Sequence, residues 1–588
     1  MDRYTRQRGL VVQDLIADAD LAVYGTGPAL SYLLQCLALA GAATRHGHIW
    51  LCVDDRPTRE SDLADQFLLH AEDLGRPIGD ALADRVSRID DTVDIAETAQ
   101  PPERSLGIAV PDTAELAGLE GSHAITVWGQ VLPTAVYIGS SPLREVPAAS
   151  RNVLTAALSA TCGGLLSQAV LGQLGAVIDG PAVVARWFEE RLWLSYPAIG
   201  TAARAAQAEG SASPALGGVL ERMGPGSGGS DLFRVMANGT LAQPRITEIV
   251  DENAVVVTVR VSPDATLPQV TIRPSLLTPP PVQPLLWSPV EGPVLNGDTV
   301  TGADVDLTSE LPPARLVLCG VGALGSWASA VLAASRFPDL SLSLVDMDDS
   351  VETHNLNRQV LFGDSDVGQP KARRALERLA TIAPEMRINA LQVMITPEIL
   401  DDLAGEGVQY ELVDALLQPQ ANAYRTQIDA LRKALDEATS ILSCPDNHQT
   451  RWSLNVIAER LGIPLVNGAV DGFIGRVHVC DPGDNGRCLV CWLGESIALE
   501  PERRSCTDLL GEAPVPSIVT SAAIVGAAQA ALLIARMASQ QPIRRFHVFD
   551  GAENSLVGYR AADRDPEECP AHLLGPALGS SGPEAQRG

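Results

Sequence analysis

The chain has 588 residues, a formal net charge of −29, 46% hydrophobic residues and ten cysteines. One core seldom grows past roughly 250–300 residues, so more than one domain is expected. The acidic balance repels phosphate backbones and argues against a nucleic-acid partner. The cysteines are too sparse for a disulfide framework.

In chain order, MDRYTRQRGL lacks the apolar core of a signal peptide. DLAVYGTGPALSYLLQCLALAG, from Asp20, reads as strand, glycine turn and helix. IWLCVDD (49–55) is a second strand ending in acid, and SDLADQFLLHAEDLGRPI (61–78) follows. RMGPGSGGS (222–230) reads as a flexible loop. RITEIVDENAVVVTVRV, from Arg245, alternates like strands, and the proline-rich run from Thr278 is expected to be extended.

The opening pattern then returns. RLVLCGVGALGSWASAVLAAS (315–335) repeats strand, turn and helix, LSLVDMDD (342–349) the acid-ended strand, and HNLNRQVLFGDSDVGQPK (354–371) the stretch after it. Gly25 lies 295 residues before Gly320, and Asp62 lies 293 before Asn355. An ordered series of matches at one spacing marks an internal duplication. VTSAAIVGAAQAALLIARM (519–537) is apolar, but it is Ala-rich and carries Gln529, so it reads as a buried helix rather than a membrane span.

Gly320-Val-Gly322-Ala-Leu-Gly325 follows a strand and opens a helix. Such glycines allow a tight turn, close phosphate approach and close helix packing, and the helix N-terminus offers free N–H groups to an anion. Asp346 ends the next strand 21 residues after Gly325, where a carboxylate can hold ribose hydroxyls. This much fits a nicotinamide oxidoreductase equally well. The cations Arg358 and Lys371, and Asp446 in Cys-Pro-Asp446-Asn447-His-Gln-Thr-Arg451, favour ATP instead. Cations suit a triphosphate, and Mg²⁺ takes one or two carboxylates plus phosphate oxygens.

The set resembles the ThiF/MoeB and ubiquitin-activating-enzyme family, strongly over about 311–575 and weakly over about 1–180. DMDDSVETHNLNRQVLF, DNHQTR and LGIPLVNGAVDGFIGRV look particularly like ubiquitin-activating enzymes. The resemblance implies that Asp346 binds ribose and that Asn355, Arg358, Gln359 and Lys371 contact the nucleotide, with Asn447 and Asp348 beside them. It also implies that Asp446 is the Mg²⁺-linked catalytic acid. Two departures stand out. The loop 346–355 is one residue longer than usual, which leaves Asp348 or Asp349 as the second acid. A helical insertion, NAYRTQIDALRKALDEA, precedes Asp446.

Cys488-Leu-Val-Cys491 and Cys569-Pro-Ala-His572 are two i, i+3 pairs of soft ligands, the pattern of a tetrahedral Cys₃His zinc site. Cys506 stands beside Arg503 and Arg504, and neighbouring cations favour a reactive thiolate. The family places its acceptor cysteine in this crossover region. In the first copy Asp65 stands opposite Arg358 and Ile78 opposite Lys371, and no CxxC pair occurs, so that copy is expected to have lost adenylation. Tyr4-Thr-Arg6-Gln7 matches the family's N-terminal element and has no counterpart before residue 315. The resemblance implies that Arg6 completes the second copy's site.

The expected fold class is α/β, with two Rossmann-like doubly wound domains forming an intramolecular pseudo-dimer. Residues 1–180 are the inactive copy, 181–310 a Pro/Gly-rich connecting segment with strands, 311–575 the active copy and 576–588 a disordered tail. The implied activity is ATP-dependent adenylation of the C-terminal glycine carboxylate of a small ubiquitin-like β-grasp protein. Transfer to Cys506 as a thioester follows, then delivery to a conjugating enzyme. The cofactors are ATP, Mg²⁺ and Zn²⁺, the setting is cytoplasmic, and neither membrane nor nucleic acid is a partner. The alternatives are adenylation of a sulfur-carrier protein or a biosynthetic peptide, and a non-catalytic binding scaffold.

Overall fold

The computed structural model describes residues 3–177 and 282–559, Cys569, and the strand backbones between 183 and 272. Within these ranges it omits 8–9, 12, 104, 113–118, 120–124, 145–150, 175, 304, 306, 308–310, 336, 348–349, 397–398, 400–413, 483–487, 494–515 and 540. The tail from 571 lies outside the described residues.

After a short turn at Thr5–Gln7 and helix α1 (Gln13–Ala17), the first sheet begins. Its strands are β1 (Asp20–Tyr24), β2 (His48–Cys52), β3 (Ile95–Glu97), β4 (Leu106–Ala109), β5 (Ile125–Val131) and β6 (Val136–Gly139). Helices α2 (Leu30–Ala40), α3 (Ile78–Ser87) and α4 (Thr155–Gln173) accompany them. Next come β7 (Val183–Phe188), β8 (Arg191–Ser195), β9 (Val219–Pro225), β10 (Asp231–Met236), β11 (Arg245–Asp251), β12 (Ala254–Ser262) and β13 (Ala265–Ile272). They form a sheet of their own, ordered β11-β12-β13-β8-β7-β10-β9. The alternating run from Arg245 is thus the β11–β12 hairpin. The glycine-rich run expected to be a loop instead begins inside β9, at 222–225.

Strand β14 (Leu285–Trp287) pairs with β6, so a piece of the expected connecting segment closes the first sheet. A hairpin, β15 (Val294–Asn296) and β16 (Thr299–Thr301), follows. The last sheet uses β17 (Ala314–Cys319), β18 (Leu340–Asp346), β19 (Arg387–Gln392), β20 (Ser440–Ser443), β21 (Leu465–Asp471), β22 (Ile474–Cys480), β23 (Phe546–Asp550) and β24 (Ser555–Tyr559). Its helices are α5 (Ala323–Ala334), α6 (Lys371–Ile382), α7 (Asp414–Asp436), α8 (His448–Leu461), α9 (Leu489–Leu493) and α10 (Val519–Ala538). The anticipated helical insertion is part of α7.

The two outer sheets share one topology. The first runs β3-β2-β1-β4-β5-β6-β14, and the last runs β19-β18-β17-β20-β21-β22-β23 with β24 added at the edge. In both, five parallel strands precede antiparallel ones. Each is a Rossmann-like α/β sheet. Local details repeat as well. Tyr32 on α2 donates to the Asp65 carbonyl, and Trp327 on α5 donates to the Arg358 carbonyl. The backbone of Asp65 therefore occupies the place of Arg358.

The halves join through their longest apolar helices. Every residue of α4 from Thr155 to Leu171 is buried, and so is α10 from Val519 to Ala535. Helix α10 is long and apolar enough to cross a membrane, yet 89% of that window is buried inside the protein. One apolar core runs unbroken from Leu21 and Ile49 through Leu158 and Ile524 to Leu316 and Leu344. Fully burying each such side chain contributes about 1.5–3 kcal/mol. Glycine lets the helices approach. A Cβ on Gly164 of α4 would lie 2.7 Å from Ile524 Cγ1 of α10, across the seam. Gln168 fastens the seam by accepting from Thr520 Oγ1 at 2.6 Å and donating to the Gly551 carbonyl at 2.7 Å.

Gly164→Val is expected to overpack this seam and cost about 2–3 kcal/mol of stability. Urea denaturation measures it, and an unchanged midpoint would show that the seam can relax.

Candidate active site

The site is built where β17 ends. Gly320 has φ +89°, a turn that disfavours any other residue, and a Cβ there would press on the Cys444 carbonyl at 2.7 Å. Gly325 packs directly onto the Gly320 carbonyl. Helix α5 therefore starts tight against its strand, with its N-terminal N–H groups facing the turn. Gly322 is different. Among the described residues a Cβ built on it meets only Gln359 Nε2, at 3.9 Å, so they leave open space over this glycine. Asp346, at the end of β18, accepts from Val321 N–H at 2.5 Å and holds the turn to the neighbouring strand.

Cations gather beside this opening. Arg358 is buried and donates to the His354 carbonyl at 2.5 Å and to Asn357 Oδ1 at 2.9 Å. Lys371 is the first residue of α6 and is also buried. Arg6 arrives from the other half. It is 1% exposed, and its guanidinium lies 3.3 Å from His354 Nε2. Its carbonyl accepts from Ser517 N–H at 2.7 Å, and Gln7 accepts from Asn357 Nδ2 at 3.3 Å. Arg3 pairs with both Asp90 and Asp364, one acid from each half. Burial, together with Arg6, Arg358 and Lys371, pushes the His354 imidazole down to about 4. The ring is therefore neutral at pH 7.

The remaining expected residues fall around this cluster. Gln359 is buried, and its Oε1 has no hydrogen-bond partner among the described residues. An unsatisfied buried oxygen costs about 1–3 kcal/mol, which a bound polar ligand would recover. Asn355 spends its Oδ1 on the backbone, accepting from Glu352 N–H at 3.0 Å. Asp446 is exposed on the loop after β20, and Asn447 caps α8 by accepting from Thr450 N–H at 2.8 Å. Buried Arg451 ties that loop down through the Pro445 carbonyl and Asn467 Oδ1. Asp348, Cys506 and His572 lie outside the described residues.

The matching place in the first half is closed. Gly27 donates its N–H to the Val110 carbonyl at 2.7 Å, and a Cβ there would strike Pro111 O at 2.6 Å. The end of β4 occupies the space that stands open above Gly322. Arg56 is bound at 2.7 Å and 2.9 Å to Asp62 and lies 3.3 Å from Thr26 Oγ1. Sequence reasoning passed over two features here. Val110-Pro111-Asp112 follows β4 as Cys444-Pro445-Asp446 follows β20, so the acid is present in both halves. His354 was quoted within a motif but not singled out, and its adjacency to Arg6 spans 348 positions of sequence.

Away from the glycine turn, Cys488, Cys491 and Cys569 bring their sulfurs within 4.8 Å of one another. Cys488 Sγ lies 3.8 Å from Cys491 Sγ and 3.6 Å from Cys569 Sγ. Zn–S bonds of about 2.3 Å in a tetrahedron place sulfurs about 3.8 Å apart, so this donor set fits that ion. Asn455 on α8 accepts from Leu489 N–H at 2.7 Å and anchors the first pair.

Residues 299–571 match the ThiF family model. The chain is 28% identical over 203 residues to the sulfur carrier protein ThiS adenylyltransferase of Escherichia coli, covering 34% of this chain and 66% of that one. It is 32% identical over 190 residues to the molybdopterin-synthase adenylyltransferase of the same organism, covering 32% and 63%. It thus spans less than two thirds of the length of either relative. Among solved structures, E. coli MccB with MccA-N7isoASN matches 44% of this chain and 67% of its own at 19% identity and a TM-score of 0.32. The glycine turn, Arg358, Lys371 and the cysteine trio therefore stand within residues 299–571, the stretch that matches the ThiF family model.

Proposed function

We propose that this chain adenylates the C-terminal carboxylate of a small carrier protein, in the manner of the sulfur-carrier adenylyltransferases that its second half resembles. The observation that carries the reading is the convergence of Arg6, Arg358 and Lys371 beside the open glycine turn. A carboxylate oxygen attacks the α-phosphorus of ATP, the bond to the β-phosphate bridging oxygen breaks, and pyrophosphate leaves. Charge accumulates on the leaving group, and fixed cations in a site shielded from water stabilise it without reorganising. Helix α5 and Gly322 receive the phosphates, while Asp346 faces the ribose. Asp446 would hold Mg²⁺, which supplies further neutralisation of the phosphates.

The first half serves this reaction without repeating it. Its glycine turn is closed by Val110 and Pro111, and Asp65 stands where Arg358 should. The chain is then an intramolecular pseudo-dimer with one working site, and its first half supplies Arg6. The cysteine trio, with His572, would hold a structural Zn²⁺ that pins the chain end to the domain. The acidic balance and sparse cysteines support a cytoplasmic setting.

A second reading keeps the adenylation and changes its product. Cys506, just after Arg503 and Arg504, favours a thioester with a ubiquitin-like protein and delivery to a conjugating enzyme. The named relatives favour the sulfur-carrier reading. A biosynthetic peptide with a free C-terminus is a substrate of the same chemistry.

ATP–pyrophosphate exchange, run with candidate β-grasp proteins, tests the proposal. Exchange is expected with one of them, and Arg6→Ala or Asp446→Ala should reduce it at least 100-fold, the size of a lost transition-state contact. A folded chain with no exchange toward any carrier or peptide would support a scaffold instead. A carrier adduct sensitive to thiols and lost in Cys506→Ala would favour the second reading. Metal analysis is expected to find about one zinc per chain, lowered by Cys569→Ser; a metal-free wild-type chain would contradict the zinc site.

A further inference from the structure

His354 sits between the two halves with both ring nitrogens engaged. Nδ1 lies 2.9 Å from Glu352 Oε2, and Nε2 lies 3.3 Å from the Arg6 guanidinium. A guanidinium has donors and no acceptor, so Nε2 must present its lone pair. The proton then resides on Nδ1 and is donated to Glu352. The chain Glu352, His354, Arg6 is thus ordered from acceptor to donor with a single tautomer. The backbone of the same residue holds the second arginine, because the His354 carbonyl accepts from Arg358 Nη1 at 2.5 Å.

Among the described residues, the charged groups facing the ring come from three places. Glu352 and Arg358 lie on its own loop, Lys371 on α6, and Arg6 on the N-terminal turn. With three cations against one carboxylate, a protonated ring would be repelled and would turn an N–H toward the guanidinium. The lowered imidazole keeps the ring neutral and the contact intact.

We propose that His354 is a positioning residue: through Glu352 on one side and Arg6 on the other, it holds the arginine from the first half in place over the nucleotide site of the second. The inference rests on the proposed ATP site. It adds the group that makes an arginine 348 positions away act in that site. Arg6 also meets the second half through its backbone. Its carbonyl is bound by Ser517 N–H, which fixes the backbone but leaves the long side chain to be aimed. A neutral imidazole, itself oriented by a carboxylate, aims it at low entropic cost because both partners are buried against their own loops.

Calorimetric titration of the full chain with Mg·ATP tests this without needing the carrier. Wild type is expected to bind. His354→Ala should weaken binding about tenfold, the effect of one buried hydrogen bond to a charged group. His354→Gln, which offers an amide oxygen near the Nε2 position, should recover most of that loss. In an Arg6→Ala background, His354→Ala should have no further effect, since a positioning residue has nothing left to aim. Should His354→Ala fail to fold, Glu352→Ala, at a partly exposed side chain, should show a smaller fall that also vanishes without Arg6. If wild type binds ATP but the His354 and Arg6 effects add independently, or His354→Ala binds normally, the positioning role is overturned and the ATP site stands. If folded wild type does not bind Mg·ATP, the proposed function falls and this inference falls with it.

Discussion

The burial of α4 against α10 is the constraint on which everything else rests. Neither helix has a polar face to show to water, and each covers the other. Separating them would expose the centre of a core that runs through both outer sheets. Because a Cβ on Gly164 would lie 2.7 Å from Ile524 Cγ1, α4 and α10 meet with no room for a further side-chain atom between them. The N-terminal turn is thereby delivered to one location, with Gln7 on Asn357 and Arg6 on His354. A hydrophobic seam thus sets the geometry of a polar site.

The two halves share one sheet topology and differ at their glycine turns. In the second half Gly320 lies against the neighbouring strand's end and Gly322 faces open space. In the first half the second glycine, Gly27, makes that contact, and its N–H is consumed by Val110. A shift of two residues in one turn separates an open glycine turn from a packed corner. The Arg56–Asp62 pair stands beside that closed turn, with Arg56 3.3 Å from Thr26 Oγ1. Retention of Asp112 after β4 matters little without a phosphate for it to act beside.

Much of this was legible in the sequence, for definite reasons. The duplication was readable because strand, glycine turn and helix leave periodic signatures at a constant spacing. The gathering of Arg358, Gln359 and Lys371 near the turn could be read from their order behind an acid-ended strand. The cysteine trio was readable because metal geometry imposes short spacings. Other features depended on contacts that no local pattern encodes. That Leu285–Trp287 would complete a sheet begun at Asp20 needed a pairing across the whole middle sheet. Closure of the first glycine turn depends on backbone register, which Gly25-Thr-Gly27 leaves open. His354 carries no signal of its own, since its meaning lies in which arginine it meets.

The central claim is that one nucleotide site is shared between halves that sequence alone would assign to separate domains. A structure of the full chain with a non-hydrolysable ATP analogue and Mg²⁺ tests it most directly. The account predicts one nucleotide per chain, its phosphates over Gly322 and its triphosphate within hydrogen-bonding reach of Arg6, Arg358 and Lys371. A nucleotide seated at Gly25–Gly27, or one bound in the second half with Arg6 turned away, would contradict it.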